Sequence, residues 1–80
     1  MNTQEVKRLA SEESLSSLKA AEEALLNEQA LPIVVNGTDE GEQLTHILSA
    51  IWVLEQMATE KWELPFAMRE LTKKVRNSIS

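Results

Sequence analysis

Asp39, Glu42 and His46 stand three and four residues apart, a spacing that places them along one face of a helix. Two carboxylates and an imidazole so arranged are donors for a metal ion, and diiron bundles use a Glu-x-x-His pair at three-residue spacing. Here the residue three before His46 is Gln43, a poor ligand. His46 is the only histidine, so a complete site needs Glu42 and His46 from two chains. A calcium loop starting at Asn36 fails because Ile47 stands where the bidentate glutamate belongs. The structural alternative is a helix start. Asp39 and Glu42 have capping-box spacing, and acidic residues favour the positive end of the helix dipole. In that reading His46 is a hydrogen-bonded residue near the start of a helix, and no cofactor is needed.

Other chemistry finds little support. The serines are read as lying in neither a G-x-S-x-G nor an S-x-x-K element, and Gly37 and Gly41, the only glycines, make neither a dinucleotide nor a phosphate loop. Glu22 and Glu23 read as a solvated acidic face. Asn36-Gly37-Thr38 spells a glycosylation acceptor, but MNTQEVKRLASEES lacks the apolar core of a secretion signal. Asn36-Gly37 predicts a turn with positive φ instead. The expectation is a non-enzymatic, cytoplasmic protein.

Charge divides the chain. From Glu12 to Glu60 ten acidic residues face the single Lys19, a net of −9. Residues 61–80 carry a net of +3 and residues 1–11 a net of +1, giving the overall −5. An acidic chain argues against nucleic acid, which needs a basic footprint. Arg69, Lys73, Lys74 and Arg76 are the local exception, as a solvated helix face or a surface for an acidic neighbour. Trp62 and Phe66 are candidate anchors for a partner, since aromatics concentrate binding energy, or they close the end of the core.

Positioning these residues falls to four predicted helices in one domain, residues 1–80. Val6, Leu9 and Ala10 give a short first helix an apolar edge. Ser14 caps a second, through about Gln29, with Leu15, Leu18, Ala21 and Leu25 inward. LPIVV, 31–35, reads as extended and has no second strand in the chain to join. It either packs as an ordered loop or pairs with a symmetry mate. A third helix runs from Asp39 or Glu40 to about Ala58. After a connection at 61–63, Pro65 begins a fourth, with Met68, Leu71, Val75 and Ile79 inward.

The third helix is apolar almost all round, and such a helix must be buried almost all round. Three short partner helices scarcely surround it. The sequence therefore predicts a homodimer packed through Leu44, Ile47, Leu48, Ile51, Trp52 and Met57. No apolar run is long enough to span a bilayer. The absence of cysteine excludes disulfides and thiolate zinc sites, so support for so small a core must come from self-association or another kind of metal site.

LKAAEEALL, then LPIVVNGTDEGEQLTHILSAIW, then the ending VRNSIS resemble a family of short uncharacterised bacterial helical proteins. The likeness runs from Leu15 onward, and DEGEQLTH before an apolar helix is its distinctive part. It implies a compact, self-contained domain and carries over no activity, cofactor or site residue. The reading is thus an all-α, four-helix orthogonal or bundle-like domain with an extended piece at 31–35. Its function is that of a self-associating binding or structural module. The alternative is a metal- or small-ligand-binding bundle built on Glu42 and His46 of two chains.

Overall fold

A computed structural model describes the backbone of residues 1–79 and the side chains of residues 1–77. It holds α1 (Thr3–Glu12), α2 (Leu15–Leu26), α3 (Glu40–Glu60) and α4 (Leu64–Ile79), with no strand among the described residues. The fold is all-α. Ile79, expected on the inner stripe of α4, has its side chain outside the described residues.

α1, α2 and α3 each begin where a side chain satisfies an amide of the first turn. Asn2 accepts from the Gln4 N–H on α1, and Ser14 from Ser17 on α2. On α3 the Asp39 carboxylate accepts from the Glu42 N–H at 2.8 Å. The Glu42 carboxylate in turn accepts from the Thr38 N–H at 2.9 Å, one residue earlier than in the usual capping box. Pro65 lies in the first turn of α4, where its missing N–H is no loss.

Helix ends differ from the expected ones. α2 stops at Leu26 rather than Gln29, through a Schellman motif. The Gln29 N–H returns to the Ala24 carbonyl at 2.8 Å and the Glu28 N–H to Leu25 at 3.2 Å, with Glu28 left-handed at φ 57°. α3 continues two residues past Ala58, and Lys61 (φ 60°) makes its left-handed end. Both positions suit glycine, yet neither holds one. The Asn36-Gly37 turn is also corrected, because neither glycine has a positive φ. Gly37 is needed for space instead: a Cβ there would stand 2.8 Å from Gln43 Cγ and 2.9 Å from the Gln43 nitrogen.

α1, α2 and α4 all pack on α3, and α1 also packs on α4. Val6 and Leu9 of α1, Leu18 and Ala21 of α2, and Ala67 and Leu71 of α4 close around Ile47, Ala50, Ile51 and Val53. Ala21, Ala50 and Ala67 are fully buried, one on each of three helices, which lets the axes approach closely. The premise that three short helices scarcely surround α3 is therefore corrected for much of its circumference. Ile47 and Ile51, expected at a dimer seam, lie in the chain's own core.

Residues 31–35 pack as an ordered loop. Val35 is buried, Leu31 and Ile33 lean on the core, and Val34 points to solvent. An irregular segment over a core must find partners for its backbone, and here side chains of α1 and α3 provide them. Arg8 donates to the Val34 carbonyl at 2.8 Å and Gln43 to the Val35 carbonyl at 3.0 Å.

Candidate interaction surface

Within the stretch Asp39 to His46 only His46 turns inward; Asp39, Glu40, Gly41 and Thr45 stay exposed. His46 is fully buried, and its Nδ1 lies 2.8 Å from the Asn36 carbonyl, which can only accept, so Nδ1 carries the proton. Nε2 then accepts from the Asn2 N–H at 2.9 Å. The ring thus pins the start of α1 and the loop to α3 with both of its nitrogens. Asp39 and Glu42 are the capping groups of α3. With His46 fully engaged, the metal arrangement has lost its nitrogen ligand, and no group of three or more potential ligands occurs among the described residues.

Beside this pin lies a charged clasp. Glu5 is 6% exposed and takes four hydrogen bonds. Arg8 donates to it from Nε at 2.9 Å and Nη2 at 2.6 Å, and Asn36 from its backbone N–H at 2.9 Å and Nδ2 at 3.0 Å. The Arg8 hydrogen bonds, assisted by those of Asn36 and opposed by burial, lower the Glu5 pKa from 4.5 to about 2. Arg8 is shifted the other way, upward, chiefly by its hydrogen bonds to Glu5. Sequence reading passed over this pair, whose only signal was an acid and a base three apart on α1. The expected absence of an S-x-x-K element is also corrected, because Ser16 and Lys19 have that spacing, which some serine hydrolases use. Both are exposed; Ser16 meets Ser14 and Lys19 pairs with Glu55 at 3.7 Å, leaving no nucleophile–base contact.

What remains open to a partner lies on the outer face of α3 and the adjoining side of α4. Leu44, Leu48 and Trp52 follow one another at four-residue spacing, so they form one stripe. Leu48 is 43% exposed, and Leu44 and Trp52 are half-buried. Met57, also expected at the seam, is half-buried against the core away from this stripe. At Trp52 the stripe joins an aromatic ladder. Trp52 meets Trp62 edge-on with centroids 6.4 Å apart, and Trp62 meets Phe66 at 4.9 Å. Trp62 packs against the core while Phe66 stays 43% exposed, so the two anchors are shared between closing the core and facing outward. Edge-to-face pairs of this kind add about 0.5–1.5 kcal/mol each beyond burial.

α4 supplies the charged wall. The Lys74 ammonium sits 5.9 Å above the Trp52 ring, and Lys73 pairs with Glu70 at 3.3 Å. With Arg76 these residues border a groove of about 490 Å³ floored by Trp52 and Trp62. Arg69 does not belong to it. It faces a different hollow, shared with Lys7 of α1. The structure therefore joins Trp52, Trp62, Lys73 and Arg76 in one groove with Lys74, and sets Arg69 apart.

The chain belongs to the Family of unknown function (DUF6952), whose model matches residues 1–80. No curated protein matches it. No solved structure matches it. Among the described residues no helix is long and apolar enough to cross a membrane.

Proposed function

We propose that the chain is a non-enzymatic helical interaction module that self-associates through the outer face of α3. The observation that carries this reading is the Leu44–Leu48–Trp52 stripe, which stays apolar and accessible after α1, α2 and α4 have covered the inner face of α3. Single exposed leucines are ordinary on protein surfaces. This stripe is contiguous, runs two turns, and continues through Trp52 into Trp62 and Phe66. Aromatic anchors beside an apolar stripe with a polar rim are the composition of an interface centre.

The non-enzymatic part of the reading is supported by the engagement of His46, whose two nitrogens both bond backbone groups. Replacing Leu48 by glutamate tests the module. The variant keeps its fold by circular dichroism, because Leu48 is no part of the buried core. In sedimentation velocity it runs as a monomer at concentrations where the parent chain runs as a dimer. A variant that sediments with the parent would remove the α3 face from the interface.

A further inference from the structure

The groove beside Trp52 and the flank of α3 opposite to it carry opposite charge, and they lie at matching height. Around α3 the residues advance by about 100° each, so Leu48 lies between Glu55 on one side and Trp52 on the other. α2 occupies the Glu55 side, joined to it by Lys19. α4 occupies the Trp52 side, joined to it by Lys74. α2 and α4 make no substantial contact with each other, because α3 stands between them.

On the α2 side, Glu22, Glu23 and the 63% exposed Leu26 border a shallow hollow of about 510 Å³, with Lys19, paired to Glu55, the one base. Leu26 is the apolar point of an acidic patch. On the α4 side, Trp52 and Trp62 are the apolar floor of a groove walled by Lys73, Lys74 and Arg76, with Glu70 the one acid. Glu22 and Glu23 lie within about a helical turn of the Lys19–Glu55 level, and Trp52 is three residues from Glu55. The acidic pair and the Trp52 floor therefore lie within about a turn of the same level along α3, with Leu26 a further turn away on α2.

Resting on self-association through the α3 face, we infer that the basic aromatic groove of one chain receives the acidic α2 face of a second copy. Two-fold symmetry leaves two main ways to bring the outer faces of α3 together. With the axis across α3 the helices run antiparallel, and α2 meets α2, so Glu22 and Glu23 face their own copies. With the axis along α3 the helices run parallel, and α2 of each chain meets α4 of the other. The second arrangement forms the complementary contact twice and the first forms only like-charged ones, so charge selects the parallel dimer. It also accounts for how an acidic chain with a basic last helix tolerates its own proximity.

The absence of cysteine in the chain makes the test direct. Single variants Glu22→Cys and Lys74→Cys are treated with a short bismaleimide, each alone and as an equimolar mixture, with the solution mass of each measured in parallel. The parallel dimer gives a covalent dimer in the mixture and little in either variant alone. Its yield falls as salt rises, since ion pairs at a wet rim are screened. Addition of Leu48→Glu to both variants abolishes it. Cross-linking of each variant with itself would overturn the inference in favour of the antiparallel arrangement. A dimer by mass that yields no cross-link in any sample would overturn it as well. A monomer by mass across all samples and the parent would overturn the self-association on which it rests.

Discussion

Replacing Glu5 by glutamine keeps the size of the side chain and removes its charge, which isolates the clasp that holds the 34–36 loop to α1. In the folded chain the Glu5 pKa falls from 4.5 to about 2, with the Arg8 hydrogen bonds the largest cause. At about 1.4 kcal/mol per unit that difference corresponds to at most about 3.5 kcal/mol. Arg8 is partly exposed, so screening reduces the figure to about 2 kcal/mol. For a chain of this size total stability is on the order of 4–12 kcal/mol, so the loss is a large share of it. The sign follows from the depressed pKa: the contribution is complete above pH 4.5 and is lost as pH falls through the interval down to about 2. Urea unfolding of the parent and Glu5→Gln at pH 7, 5.5 and 3 measures it. The gap between them is about 2 kcal/mol at the two higher pH values and shrinks at pH 3. Taking the difference cancels the other carboxylates. Equal stabilities at pH 7, or a gap that does not change with pH, would refute the clasp as a source of stability.

The two glycines should respond differently to alanine. Gly37→Ala meets Gln43 at 2.8 Å and costs about 1–3 kcal/mol, while Gly41→Ala meets only the Asp39 carboxylate at 3.3 Å and falls between neutral and a gain of about 0.5–1 kcal/mol. Thermal unfolding separates them. Glu28→Gly, at the left-handed end of α2, raises stability by up to about 1 kcal/mol in the same assay, since glycine takes that conformation without Cβ strain. His46→Ala strands the Asn36 carbonyl and the Asn2 N–H and lowers stability by roughly 2–4 kcal/mol. Calorimetry with and without zinc shows the same midpoint for the parent chain; a zinc-dependent rise lost in the variant would restore the metal reading.

Periodicity and capping chemistry were enough to find the helices. Ser14, Asp39 and Pro65 stand at or within a residue of their helix starts, and the inward positions Leu9, Leu18, Ile47 and Leu71 follow the 3.6-residue period. The ends were harder to read, because Glu28 and Lys61 stop helices in the left-handed conformation without the glycine that usually marks it. The apolar circumference of α3 was also visible. The division of that circumference between the chain's own helices and a partner was not, because it depends on how closely Ala21, Ala50 and Ala67 let the helices approach. That distance is a tertiary property. The polar stretch was half legible. Its role as a helix start came from Asp39 and Glu42, while the bonds from Asn36 to Glu5 and from Asn2 to His46 needed contacts between residues more than thirty apart. The groove beside Trp52 gathers α3, the 61–63 connection and α4, so Lys74 joined it only in three dimensions.

The central claim is that the outer stripe of α3 is covered by a second copy. Light scattering on a size-exclusion column, across a dilution series of the unmodified chain, tests it most directly. The account predicts a mass of two chains at high concentration, about twice the 9.0 kDa of one chain, falling toward one on dilution. A mass of one chain throughout the series would contradict it.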